Sequence, residues 1–122
     1  MALNGDLHRQ LTALAQQFQL FECIACAQTL RQFCQDHHIQ GRYIILFTGS
    51  TEDPFCNIYH EQLQCNISIN GYHAAIAVAI SQEELVFDNI HPNGVPRIEW
   101  LKNFYSPMQD LGQDFKIIES EF

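Results

Sequence analysis

The sequence predicts an α+β fold in which N-terminal helices pack on an antiparallel β-sheet. Three observations carry this. Apolar residues recur at helical spacing through the first third, they alternate at strand spacing from residue 42 onward, and the polar link SQEE between two later strands is short enough for a hairpin. A chain of 122 residues, 47% of them hydrophobic, has material for one compact domain over 1–122 and too little for two.

The elements follow in order. Asp6 is a plausible N-cap, and Leu7, Leu11, Leu14 and Phe18 after it fall on one face of a helix. A second helix starts near Glu22 or Cys23 and runs to about His37, with Gly41 as the breaker. Cys23, Ala27, Leu30 and Cys34 line its apolar stripe, with Cys26 and Phe33 on the flank. RYIILFT, Arg42 to Thr48, reads as a buried strand, and residues 49 to about 65 read as a long loop containing Pro54. Regularity returns with Ile67 to Asn70 and then with the clearest strand, His73 to Ile80. Alternation puts His73, Ala75, Ala77 and Ala79 on one face of that strand and Ala74, Ile76, Val78 and Ile80 on the other. The alanine face, free of bulk, is expected to receive the second helix. Leu85 to Asp88 is the returning strand, His91 to Pro96 a turn-rich segment, Arg97 to Tyr105 a short helix and Phe115 to Ile118 a last strand.

Charge and cysteine content narrow the function classes. Six Lys and Arg against fourteen Asp and Glu give a formal charge of −8, which repels a phosphate backbone and excludes a nucleic-acid partner. No apolar run is long enough for a membrane helix, and no basic-then-apolar leader opens the chain, so a soluble, cytoplasmic protein without a membrane partner is expected. Five cysteines, an odd number, argue for reduced thiols rather than a disulfide framework.

The pair in FECIACAQTL therefore needs another explanation. Cys23, Cys26 and Cys34 with His37 or His38 add up to a zinc ligand set, yet the pair runs into a helix instead of a tight knuckle and no second paired-ligand motif exists. A redox dithiol lacks the preceding strand it would require. Burial suits Cys23 and Cys34, which sit where small core residues belong. Cys26 lies in the first helical turn, where free backbone N–H groups and the positive dipole end favour a thiolate. His73 opens the alanine-faced strand, and Asp88 ends the next one, where a carboxylate can orient an imidazole. No metal or cofactor is expected. Two other readings stay open: a non-catalytic interaction module presenting Phe55 and Tyr59 from the long loop, and a structural zinc domain.

Cys-x-x-Cys-Ala opening a helix, then GYHAAIAV, then VFDNIHPNG before EWL, resembles the papain-fold toxin family over roughly residues 20 to 105. These are small bacterial domains related to papain-like cysteine peptidases and found in polymorphic toxin systems. The resemblance implies a papain-like fold with Cys26 as nucleophile, His73 as general base and Asp88 as orienting acid. It implies a peptidase or glutamine deamidase acting as a toxin on a target-cell protein, delivered by an external system and restrained by an immunity protein. The family's oxyanion-hole glutamine would align with Leu20, with Gln19 beside it as the candidate. Cys23, Asn89 and His91 are secondary candidates. The hairpin register decides among the last of these. A turn closed by SQEE pairs Ile80 with Leu85 and sets Asp88 opposite Ala77, about 13 Å along the strand from His73. A turn recentred near Ile80 and Ser81 brings Asp88 opposite His73, and otherwise Asn89 or His91 must orient the imidazole.

Overall fold

A computed structural model describes residues 3–122. Helix α1 spans Leu3–Ala15 and α2 spans Cys23–Asp36. The strands are β1 (Arg42–Phe47), β2 (Ile58–His60), β3 (Cys65–Ser68), β4 (Tyr72–Ile80) and β5 (Glu83–Phe87). Helix α3 (Arg97–Lys102), β6 (Phe104–Tyr105), α4 (Pro107–Asp110) and β7 (Lys116–Glu121) complete the chain. The α1 helix begins before Asp6, which sits in its first turn and pairs with Arg9 rather than capping the end.

All strand pairs are antiparallel, in a four-stranded sheet ordered β5-β4-β1-β7 and a three-stranded one ordered β3-β2-β6. The segment expected to be one long loop contains β2, the middle strand of the second sheet. The helix expected to reach Tyr105 stops at Lys102, because Phe104 and Tyr105 leave it to pair with β2.

Which face of β4 the helices cover reverses the expectation. Leu11, Ala15, Cys26, Ala27, Leu30 and Cys34 pack with Ala74, Ile76, Val78 and Ile80, so the large apolar face of β4 lies under α1 and α2. Ala75 and Ala77 face the other way, into a cluster with Ile44, Leu46, Val86, Trp100 and Phe104. The physical reason is volume: two bulky aromatics fill the space that the alanines leave, whereas the helices present small Ala and Cys to the Ile and Val side chains.

The β4–β5 hairpin takes a register midway between the two considered from sequence. Ile80 pairs with Glu83, and the two-residue turn Ser81–Gln82 holds both residues at positive φ, +52° and +70°. Such turns match the twist of the strands they join. With Ile76 opposite Phe87, Asp88 follows the last paired residue at the level of Ala75, one diagonal step from His73. At the other end of β4, Gly71 (φ +92°) allows a close backbone approach: a Cβ there would lie 2.5 Å from the Ser50 carbonyl oxygen. This contact fixes where β4 begins.

Candidate active site

Three segments meet at the start of β4. The first is the N-terminal end of α2, where Cys23 is the first helical residue and Glu22 the N-cap. No side chain caps this end, because the Glu22 carboxylate turns back to accept the Gln19 backbone N–H at 2.6 Å. The first N–H groups of the helix are left available at its positive pole. The second segment is β4, which carries His73. The third is the loop after β5, which carries Asp88, Asn89 and His91.

His73 and Asp88 are both fully buried, and the His73 Nε2–H donates to Asp88 Oδ2 at 2.7 Å. That leaves Nδ1 of the ring buried without a hydrogen-bond partner, with the Cys23 thiol near enough for sulfur and imidazole to shift each other's titration. Burial on its own raises the Cys23 pKa. The nearby ring and charge of His73, joined by the Ala74 backbone N–H, more than offset it, and the thiol falls below its ordinary value. Burial likewise opposes protonation of His73, but its bond to Asp88 and the nearby Cys23 win and raise the imidazole to about 9.

Asp88 is the most heavily bonded side chain of the site. Its Oδ2 also accepts the Trp100 indole N–H at 2.7 Å, and its Oδ1 accepts the Ile90 and His91 backbone N–H groups and the His91 Nδ1–H at 3.0 Å. Burial alone would raise its pKa, yet the bonds to His73 and His91 hold it far below the usual carboxylate range. Trp100 stacks on the His73 ring at 6.1 Å, and Phe104 tilts against it at 5.2 Å, so an aromatic wall shields the pair from water.

Cys26 does not meet His73. It is 0% exposed among the aliphatic side chains between α2 and the sheet. Burial, followed by the charges of Asp88, Cys23 and Glu22, pushes its thiol up to about 12. Cys34, also in that layer, is pushed by burial to about 11. The placement of the two cysteines is thus the reverse of the expectation: Cys23, expected in the core, is the thiol that His73 acts on, and Cys26, expected beside the imidazole, lies in the core. Cys23 is 5% exposed and opens into a cleft of about 170 Å3 lined by Phe21, Ile67, Ser68, Ile69 and Asn70.

Gln19 is exposed and takes part through its backbone, whose carbonyl accepts the Asn89 side-chain N–H at 2.9 Å. Asn89 is therefore a strap between the turn before α2 and the loop after β5, not the group that orients His73. A second strap joins the His8 Nε2–H of α1 to the Asn93 carbonyl at 2.6 Å. Trp100 was missed from sequence, although a buried tryptophan needs an acceptor for its indole N–H and a carboxylate twelve residues away was an available one. Among the described residues, no group of three or more His, Cys, Asp or Glu side chains is disposed to hold a metal ion.

The family model described as papain fold toxin 2 matches residues 6–105. The chain belongs to the papain fold toxin 2 family. The α+β architecture of two helices against antiparallel sheets is that of this papain fold family, and the match takes in every site segment from α1 to β6. No curated protein and no solved structure matches the chain. As a papain fold toxin 2 domain it is a toxin domain of the cysteine-protease-like type. Among the described residues, no helix is long and apolar enough to cross a membrane.

Proposed function

We propose that this chain is a cysteine-dependent acyl-transfer hydrolase in which Cys23 is the nucleophile, His73 the general base and acid, and Asp88 the orienting carboxylate. The observation that carries this is a buried His73 whose Nε2–H donates to Asp88 and whose free Nδ1 leaves the ring open to the Cys23 thiol, with the thiol lowered and the imidazole raised. Those opposite directions are what a thiolate–imidazolium pair requires.

In the reaction, the Cys23 thiolate attacks an amide carbonyl carbon and forms a C–S bond. The resulting oxyanion is stabilised by the free N–H groups at the start of α2, with the Gln19 side chain as the candidate second donor. Collapse breaks the C–N bond as His73 hands its proton to the leaving nitrogen. His73 then takes a proton from water, whose oxygen displaces the sulfur and releases a carboxylic acid. Asp88 stays ionised throughout. The substrate is an amide of a target protein, either a peptide bond or a glutamine side chain, and an immunity protein restrains the domain in its producer. A new N-terminus marks the first chemistry and released ammonia the second.

Labelling with an electrophilic peptide amide analogue tests the assignment. Cys23→Ala should abolish labelling and toxicity, and Cys26→Ala should retain both while losing core packing. Labelling that persists in Cys23→Ala and vanishes in a folded Cys26→Ala would return the role to Cys26. An unlabelled wild type would mark the domain as a binding module.

A further inference from the structure

Two histidines beyond the three proposed catalytic residues continue the line from His73 through Asp88. On the far side of Asp88, His91 Nε2 lies 3.3 Å from His60 Nε2 of β2, and His60 Nδ1 accepts the Leu63 backbone N–H at 3.2 Å. His60 is buried, and Phe104 of β6 packs against the rings of His60, His73 and His91 alike.

The proton positions along this line have one solution. A backbone N–H can only donate, so His60 Nδ1 carries a lone pair and its proton sits on Nε2. That Nε2–H points at His91 Nε2, which must then be the acceptor. The ionised Asp88 accepts only, so the His91 proton sits on Nδ1. Every donor runs the same way, from Leu63 through His60 and His91 to Asp88. A second proton on His91 would meet the His60 N–H head-on, and His60 has no way to turn its ring without losing Leu63.

We propose that His60 and His91 are positioning residues that, by this one-way chain, keep His91 neutral and so reserve the negative charge of Asp88 for the His73 imidazolium. The inference rests on the catalytic reading above. A cation at His91 would sit within hydrogen-bond distance of the same carboxylate and oppose protonation of His73, weakening the thiolate–imidazolium pair from the acid side. The charged and titratable groups around His60 are Glu61 on its own turn, His91 and Asp88 from the loop after β5, and His73 of β4. Burial holds His60 below the ordinary imidazole value against the pull of Asp88.

Imidazole nitrogen NMR of the wild-type chain reads the tautomers directly. His91 should carry its proton on Nδ1 at neutral pH, the less common form of a free neutral histidine, and His60 on Nε2. The pH profile of Cys23 alkylation supplies the second readout. His60→Leu, which deletes the donor, should move its acid limb up by about half a pH unit or more. His60→Gln, whose amide N–H replaces Nε2–H, should leave the limb at the wild-type pH. A doubly protonated or Nε2–H His91 at neutral pH, or an unmoved limb in a folded His60→Leu, overturns the inference. If neither variant folds, the wild-type tautomers decide alone. Failure of the catalytic reading shows separately, as a wild-type Cys23 that alkylates no faster than an ordinary thiol.

Discussion

Cys23 and Cys26 lie three positions apart on α2, about 60° around the helix axis. Periodicity puts both near the apolar stripe and does not separate them. What separates them is depth in the first turn: with the start where it was expected, Cys23 is the first helical residue and keeps a free N–H, whereas the Cys26 N–H is already bonded to the Glu22 carbonyl at 3.0 Å. The consequence is measurable as pH dependence. Thiolate character at Cys23 begins below the ordinary thiol value, and its partner loses its proton as pH rises through about 9. The value of kcat/KM should therefore rise with Cys23 ionisation from below the ordinary thiol value and fall near pH 9. Cys26 and Cys34, at about 12 and about 11, should resist alkylation across that range in the folded protein. A single rising limb near the ordinary thiol value would show that sulfur and imidazole titrate independently.

At the scale of elements, α2, β1, β4 and β5 were legible because each is long and periodic enough to override its neighbours. The three residues of β2 and the two of β6 were not, since neither carries a period: β6 exists through its pairing with β2, and β2 through its pairing with β3 and β6. The face of β4 under the helices was misread for a different reason. Alternation identifies two faces but not which partner each receives, and that depended on Trp100 and Phe104 arriving from later in the chain. The histidine and aspartate were legible as residue types in order, whereas their diagonal contact came from a turn lacking the Asn-Gly or Gly pair that announces two-residue hairpins. Two substitutions on the same strand face test the corrected packing. Ala75→Leu inserts bulk against the aromatic cluster and should cost about 1–3 kcal/mol in urea unfolding. Ala79→Leu, at an exposed position, should stay within about 0.5 kcal/mol of wild type. Equal effects would mean that the face is uniformly covered or uniformly open.

For the molecule as a whole, Asp88 ties stability to pH. Its pKa is lowered in the folded state, so its contribution is complete above the ordinary carboxylate value of about 4 and is lost as pH falls through the lower folded value. Wild-type stability should decline steeply below about pH 4, and Asp88→Asn should flatten that decline while being less stable at neutrality by about 1–3 kcal/mol. Parallel acid transitions in the two proteins would remove Asp88 as the coupling group. The site is also divided between layers: sulfur on α2, imidazole and carboxylate on the sheet, with the Asn89–Gln19 and His8–Asn93 straps across the seam. Residues 37–41 link α2 to β1 on one side of that seam. On the proposed chemistry, a chain broken there parts the sulfur from the imidazole and carboxylate that act on it, so neither fragment alone should label with an electrophile or be toxic, and mixing the two should restore both if they reassociate.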